Sequence, residues 1–145
     1  MFKKILITTD GSELSAIAID KAIIFAAEID AQITGLTVTE PYHFFSSEST
    51  MVSDSSDVYE TDMRELAQKR LQQIKTKCDE FAIEYELIHK EGYHPYEEIV
   101  STAEESRCDI IFMASHGRKG IGSLLIGSEV NKVLTHTKIP VLVYR

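Results

Sequence analysis

A glycine-rich stretch near the end of the chain carries the residue types that could bind a phosphate group. Residues 113–128 read Met-Ala-Ser-His-Gly-Arg-Lys-Gly-Ile-Gly-Ser-Leu-Leu-Ile-Gly-Ser. Glycine lets a backbone approach a ligand closely, and the free N–H groups at a helix start attract anions. Arg118 and Lys119 add positive charge. The stretch predicts a phosphate-binding loop, with a loop that only turns the chain as the alternative on composition alone.

Several patterns that would point to other chemistry are absent from the sequence. There is no G-x-x-x-x-G-K-[ST], which argues against an NTPase with the usual P-loop, and no G-x-G-x-x-G follows the first strand. There is also no G-x-S-x-G elbow and no metal spacing such as H-E-x-x-H. No nucleophile, base and orienting group can be assigned, so the sequence predicts at most a slow hydrolase.

The elements that position this stretch follow from hydrophobic periodicity. Short apolar runs predict five strands, at 2–9, 33–38, 81–89, 108–113 and 139–144. Helical patterns fill the four intervals. This alternation predicts an α/β domain with a parallel sheet and right-handed crossovers. The glycine-rich stretch then joins the fourth strand to a short helix that begins at Glu129.

Two intervals between the early strands carry more detailed expectations. Ser12 is a good N-cap for the first helix. The side of this helix that we expect to be buried comprises Leu14, Ile17, Ala18, Ala22, Ile24 and Phe25. Residues 39–57 are rich in serine and aromatic residues and are predicted to form a mobile loop or lid, with a loosely packed connector as the alternative. Asp57 to Glu60 resembles a capping box at the start of the second helix.

Composition limits the class of protein. The 145 residues suit one domain, here 1–145, and 43% hydrophobic content is enough for a core. A formal net charge of −8 argues against binding to nucleic acid or to an anionic membrane, and no apolar run is long enough to span a membrane. Cys78 and Cys108 have no C-x-x-C partner and are expected to be reduced, which predicts a cytoplasmic protein.

The residues at both ends of the chain resemble those of a known family. Residues 4–12 read Lys-Ile-Leu-Ile-Thr-Thr-Asp-Gly-Ser, and the stretches 113–120, 124–128 and 139–143 are similar to the C-terminal signature of the universal stress protein family. The resemblance implies an open, twisted, five-stranded parallel sheet with helices on both faces. This fold is Rossmann-like, of the adenine nucleotide alpha hydrolase-like type, with strand order 3-2-1-4-5. It also implies a homodimer formed through the C-terminal strand, 139–144.

The family's ATP-binding motif is Gly, two residues, Gly, nine residues, then Gly-Ser or Gly-Thr. Gly117 and the pair Gly127–Ser128 match it, but the first glycine is replaced by Ala114. The resemblance further implies that Asp10 bonds a ribose hydroxyl or the base, and that the backbone of Val38 meets adenine. As alternatives, Asp10 is a turn residue and Val38 is a core residue. The candidate binding residues are Thr9, Asp10, Val38, Met113, Ala114, Ser115, His116, Gly117, Arg118, Gly120, Gly127, Ser128 and Glu129.

The leading hypothesis is therefore a homodimeric stress-response or signalling module that binds ATP, which Mg²⁺ could accompany. The alternative is a family member that acts through protein partners without ATP, because the Cβ of Ala114 would hinder the ligand. A flavodoxin-like receiver domain is a third possibility. That domain requires an aspartate after the third strand, where residues 89–92 read His-Lys-Glu-Gly.

Overall fold

Strands and helices alternate along the chain in the computed structural model, which describes residues 1–42, 53–116 and 126–145, with only the backbone given for 53–55. The elements are β1 (Lys4–Thr8), α1 (Glu13–Ile29), β2 (Gln32–Thr39), α2 (Ser53–Phe81), β3 (Tyr85–Glu91), α3 (Pro95–Glu105), β4 (Ile110–Ala114), α4 (Ser128–His136) and β5 (Val141–Tyr144). The predicted alternation is confirmed.

The five strands form one parallel sheet in the order β3-β2-β1-β4-β5. The order implied by the family resemblance is therefore confirmed. In the central strand β1, Leu6 pairs with Thr34 of β2 on one side and with Ile111 of β4 on the other. The direction of winding changes between β1 and β4, and ligands of such sheets bind beyond the carboxyl ends of the strands at that point.

Helices cover both faces of the sheet, and the residues of β1 show how. Ile5 and Ile7 belong to a buried cluster beneath α1 and α2, whereas Leu6 belongs to a second cluster beneath α3 and α4. Successive strand residues point to opposite faces, and all three side chains are fully buried. A strand that is apolar at consecutive positions is therefore what a sheet with two covered faces requires.

The buried side of α1 differs in part from the predicted one. The buried residues are Ser15, Ala18, Ile19, Ala22, Ile23 and Ala26. Ile17 and Ile24 were expected to be buried but are 46% and 43% exposed. They lie seven residues apart on the same line of the helix, beside the buried stripe. The alanines allow close approach to the sheet, so this narrow stripe is enough to seat the helix.

The predicted loop at 39–57 is too long at both ends. Thr39 is the last residue of β2, and α2 begins at Ser53, so Asp57 lies within the helix and its carbonyl accepts a hydrogen bond from Thr61 Oγ1 at 2.8 Å. The capping box at Asp57 was therefore wrong. Serine and aspartate are common in the first turn of a helix as well as in loops, which explains the error. Of the remaining residues of the predicted lid, 40–42 follow β2 outside any strand or helix, and 43–52 lie outside the described residues.

The start of the third strand was also predicted four residues too early. Phe81 ends α2, and Ala82 adopts a left-handed backbone with φ 53°. The N–H of Ile83 then bonds to the carbonyl of Cys78 at 2.9 Å. This is a common way for a helix to end, and the apolar residues Phe81 to Ile83 concealed it in the sequence.

Candidate functional site

A cavity of about 850 Å³ opens at the carboxyl ends of β1, β2 and β4. It brings together most of the candidate residues, namely Thr9, Asp10, Val38, Met113, Ala114, His116, Gly127, Ser128 and Glu129. Ser115 is buried next to this lining. Gly117, Arg118 and Gly120 lie outside the described residues. The volume is within the range of small-molecule sites in proteins, about 300–1,000 Å³.

The turn after β1 forms one side of the cavity and is held by its own side chains. Thr9 Oγ1 accepts a hydrogen bond from the N–H of Gly11 at 3.2 Å, and Asp10 Oδ1 accepts one from the N–H of Ser12 at 3.0 Å. Ser12 Oγ then caps α1 by accepting from the N–H of Ser15 at 3.2 Å. Gly11 has φ +78°, which disfavours a side chain. The turn role of Asp10 and the cap at Ser12 are confirmed.

The junction between β4 and α4 forms the neighbouring side. The N–H of Gly127 donates to the carbonyl of Ser115 at 2.7 Å, and the N–H of Ser115 donates to the carbonyl of Tyr144 in β5 at 2.7 Å. A Cβ atom at Gly127 would come within 3.0 Å of the Ser115 carbonyl oxygen. A side chain at residue 127 would therefore crowd the end of β4, which favours glycine at this position.

The N-terminal end of α4 lines the cavity. The backbone N–H groups of its first turn point out of this end of the helix. Gly127 occupies the N-cap position and has no side chain with which to cap the helix. Free N–H groups and the helix dipole together make such an end attractive to an anion. Glu129 in the same turn adds a carboxylate. Its Oε2 accepts from the backbone N–H of Tyr96 at 3.0 Å, and its Oε1 accepts from Lys132 Nζ at 3.0 Å.

Ala114 has an ordinary strand backbone at the end of β4. Within the described residues, positive φ outside glycine occurs only at Asp30, Ala82 and Arg107. Ala114 pairs with Tyr144 and belongs to the cluster beneath α1 and α2. The backbone at residue 114 therefore has no positive φ that would require glycine. Ala114 also lines the cavity, at the position of the first glycine of the family motif.

Sequence analysis missed the part of the cavity that α2 and the start of α3 supply. The missed lining residues include Tyr59, Met63, Leu66 and Arg70 from α2, and Gly92, Tyr93, Pro95 and Ile99 around the start of α3. The α2 residues continue the helix's apolar stripe, and such a stripe by itself predicts core residues. Arg70 was the available signal, because an arginine within an otherwise apolar stripe needs a polar neighbour. Its Nη1 lies 3.4 Å from the carbonyl of Val38.

A histidine lies behind the end of β2. Thr39 Oγ1, at the end of β2, is 2.7 Å from Nε2 of His89 in β3. Burial lowers the pKa of His89 below its ordinary value, and the positive charges of Arg64 and Arg70 act in the same direction, while Glu91 opposes them. The neutral ring is thus the favoured form of His89 in the folded protein.

The described parts of the chain hold neither a metal-binding cluster nor a membrane-spanning helix. Across 1–42, 53–116 and 126–145, no group of three or more histidine, cysteine, aspartate and glutamate side chains could hold a metal ion. Over the same residues, no helix combines the length and apolar character that crossing a membrane requires.

Comparison with known proteins identifies the family. The sequence model of the "Universal stress protein family" matches residues 1–145. The chain belongs to the universal stress protein family. It is 31% identical over 145 residues to universal stress protein MJ0531 of Methanocaldococcus jannaschii, covering 100% of this chain and 83% of that protein. It is also 30% identical over 149 residues to universal stress protein YxiE of Bacillus subtilis, covering 100% of both.

Solved structures agree with this assignment. The structure of MJ0577, also from Methanocaldococcus jannaschii, has a TM-score of 0.82 at 31% identity and covers 99% of this chain and 95% of its own. A universal stress protein solved in complex with cAMP has a TM-score of 0.69 at 22% identity, with 99% and 97% covered. A family protein from Arabidopsis thaliana with AMP bound has a TM-score of 0.63 at 18% identity, with 97% and 90% covered. Some proteins with this Rossmann-like fold thus bind adenine nucleotides.

Proposed function

We propose that this universal stress protein binds adenine nucleotides, including ATP, in the cavity at the ends of β1, β2 and β4, and that it acts as a stress-response or signalling module. The observation that carries the proposal is the convergence on one cavity of the Asp10 turn and the start of α4, whose N-cap residue Gly127 makes no side-chain capping bond. The Asp10 turn supplies a carboxylate that can accept hydrogen bonds from hydroxyl or amine groups. The start of α4 supplies backbone N–H groups suited to phosphate. An adenine nucleotide carries hydroxyl, amine and phosphate groups.

The phosphate end of the proposed site is built from Gly127, Ser128 and the helix that follows. Ser128 begins α4 and is exposed, and we expect its backbone N–H and its hydroxyl to contact the phosphates. The chain as a whole is acidic, with a net charge of −8, so a bound polyphosphate would need local compensation. A Mg²⁺ ion could accompany ATP, held by the phosphates and one or two protein carboxylates.

The nucleoside end of the proposed site lies between the β1 turn and the end of β2. Asp10 Oδ1 is bonded to its own turn, which fixes the position of the carboxyl group for contact with a ribose hydroxyl. Val38 lies at the end of β2 and lines the cavity with Leu36, which gives an apolar surface for a base. The proposal includes at most slow hydrolysis of ATP, because no base and nucleophile were assigned by the sequence.

Calorimetric titration with Mg²⁺–ATP at near-physiological salt tests the proposal. We expect micromolar binding. The Asp10→Asn variant should bind about tenfold more weakly, since it loses a charged acceptor but keeps the oxygen that holds the turn. Glu104→Gln, an equal charge change at an exposed position far along α3, is the matched control and should bind normally. No binding to the wild type at millimolar ATP would overturn the proposal.

The second candidate function is a family member that acts through protein partners without ATP. Ala114 favours it, because this residue lines the cavity and carries a methyl group at the position of the family's first motif glycine. The Ala114→Gly variant separates the two functions. If Ala114 only narrows the site, the wild type should bind ATP and the variant should bind it several-fold more tightly. If the methyl group blocks the site, only the variant should bind ATP, and the wild type would then act without it.

We also propose that residues 1–145 act as one domain in the cytoplasm and form a homodimer through 139–144. The two cysteines are free and buried, which suits a reducing compartment.

The proposed dimer rests on β5, which is at the edge of the sheet and whose residues Val141–Tyr144 are all half-buried. Apolar edge strands tend to pair with other chains. Sedimentation equilibrium should give the mass of two chains, and a single-chain mass at all micromolar concentrations would contradict the dimer.

A further inference from the structure

Glu129 joins the two helices that cover one face of the sheet. It lies in the first turn of α4, yet its Oε2 accepts from the backbone N–H of Tyr96 in α3 at 3.0 Å. Its Oε1 accepts from Lys132 Nζ, one turn further along α4, also at 3.0 Å. Both carboxylate oxygens are therefore engaged, one by a neighbouring helix and one by a cation.

The bond to Tyr96 takes the place of a missing cap on α3. His94 is at the N-cap position, but its side chain makes no capping bond to the described helix, and Pro95 has no N–H. Tyr96 therefore carries the first N–H of α3, and Glu129 satisfies it from outside the helix. A carboxylate at a helix N-terminus is also favoured by the helix dipole. The position of Glu129 is thus fixed by α3 and not only by its own helix.

The Tyr96 side chain extends the same contact. Lys132 Nζ lies 5.5 Å from the centre of the Tyr96 ring, and the His136 ring lies 4.8 Å from it. The backbone of Tyr96 thus contacts Glu129, while its ring contacts the next two turns of α4. These contacts keep the start of α4 at a set position relative to α3, and both helix starts line the cavity through Ser128 and Pro95.

The negative charge of Glu129 should affect the binding of an anionic ligand, separately from its role in positioning α4. Glu129 directly follows Ser128 at the helix end proposed to bind phosphate, where a negative charge repels an anionic ligand. Lys132 offsets this charge only in part, since the pair is partly exposed, with 45% of the Lys132 side chain and 37% of the Glu129 side chain accessible. The repulsion grows with each phosphate that the ligand carries.

We propose that Glu129 is a positioning residue that also limits how much affinity each additional phosphate provides. Its bond to Tyr96 holds the first turn of α4 in place, and its charge lowers the preference of the site for a nucleoside triphosphate over a monophosphate. This inference rests on the proposed nucleotide site. It concerns the choice among adenine nucleotides, whereas the proposed function concerns whether any of them binds.

The test compares AMP, ADP and ATP, all without Mg²⁺ so that their charges differ, by calorimetry in the wild type and in Glu129→Gln, which removes the charge but keeps an oxygen for Tyr96. We expect Glu129→Gln to bind ATP about fivefold more tightly and AMP only about twofold more tightly, because repulsion scales with ligand charge. Lys132→Met should shift the ratio of the two affinities in the opposite direction. Glu104→Gln, with the same charge change far from the cavity, should leave the ratio unchanged.

Hydrogen exchange at the Tyr96 amide tests the positioning role without any nucleotide. In Glu129→Ala the amide loses its acceptor, so its exchange should accelerate about tenfold, whereas Glu129→Gln should keep it protected. Equal exchange in wild type and Glu129→Ala would overturn the positioning role. The same ATP-to-AMP ratio in wild type and Glu129→Gln would overturn the charge effect. No binding of any nucleotide to any variant would overturn the proposed function itself, and with it the selection among nucleotides.

Discussion

The turn after β1 and the junction between β4 and α4 both line the cavity but are stabilised by different kinds of contact. In the turn, Thr9, Asp10 and Ser12 bond to N–H groups two or three residues further along the chain. In the junction, Ser115 bonds to Tyr144 and Gly127, which are distant in sequence. A local turn can form as soon as its residues are present. The junction forms only once β4, β5 and α4 have assembled, so we expect its stability and its ligand binding to change together.

Gly127→Ala should have the largest effect, because it acts on the long-range junction. The new Cβ would lie 3.0 Å from the carbonyl oxygen of Ser115 and 3.3 Å from Cα of His116, and backbone atoms cannot move away as a flexible side chain can. We expect the free energy of unfolding to fall by about 1–3 kcal/mol, as for other overpacked sites. The displaced start of α4 should also weaken nucleotide binding about tenfold or more. Urea denaturation and calorimetric titration measure the two effects.

Gly92→Ala is the matched control for that steric argument. Its Cβ would come even closer to a neighbour, at 2.8 Å, but the neighbour is Cγ of Glu98, part of a flexible side chain. We expect a much smaller loss of stability than for Gly127→Ala. If the two variants lose the same stability, the distinction between a fixed backbone and a movable side chain does not explain the junction.

Gly11→Ala tests the local turn and should have the next largest effect. The φ of +78° at this position costs a residue with a Cβ about 1–2 kcal/mol, so the free energy of unfolding should fall by that amount. The bonds made by Thr9 and Asp10 are side-chain to backbone and can persist. Nucleotide affinity should therefore fall less than in Gly127→Ala. Asparagine tolerates a left-handed backbone better than alanine, so Gly11→Asn should recover part of the stability.

Wild-type stability in Gly11→Ala would mean that the turn relaxes to another conformation in solution. A loss of affinity as large as that of Gly127→Ala would contradict the proposed difference between the two sides of the cavity. It would indicate that the turn, although local in its bonds, controls the shape of the site as strongly as the junction does.

The same difference explains what the sequence could predict. The Asp10 turn and the Ser12 cap were predicted because their donors and acceptors are a few residues apart and their residue types are specific. The contact of Glu129 could not be predicted, since Tyr96 is 33 residues away and bonds through its backbone, which leaves no trace in the sequence. The strand order came from family resemblance, because hydrophobic periodicity identifies strands without ordering them.

Burial was predictable only in outline, for a related reason. Ile17 and Ile24 of α1 have the same residue type as the buried Ile19 and Ile23, and only packing against the sheet distinguishes them. The position of Arg70 in the cavity could not be predicted, because the apolar stripe of α2 runs from the core into the cavity without a change in spacing. Periodicity therefore shows which side of a helix faces inward, but not where the core ends and a cavity begins.

A third contact, between His89 and Thr39 at the end of β2, should have a smaller effect on the free energy of unfolding, and this effect depends on pH. The bond of His89 to Thr39 is again a contact between residues distant in sequence, but here one partner can take up a proton. The pKa of His89 is lowered from the ordinary 6.5, mainly by burial. The unfolded chain therefore binds this proton at a higher pH than the folded protein does. The contribution of His89 to the free energy of unfolding is therefore fully present above pH 6.5, and it is lost as the pH decreases towards the lower pKa of the folded state.

His89→Gln should reduce this pH dependence. Glutamine stays uncharged and can still bond to Thr39, so the free energy of unfolding should change less between about pH 5 and pH 6.5 than in the wild type, measured by urea denaturation. Below that range the carboxylates titrate and both proteins should lose stability together. An unchanged slope in the variant would show that His89 accepts its proton in the folded protein as readily as in the unfolded chain. The long-range contact at the end of β2 would then tolerate a charge, unlike the backbone contact at Gly127, which is expected not to tolerate even a methyl group.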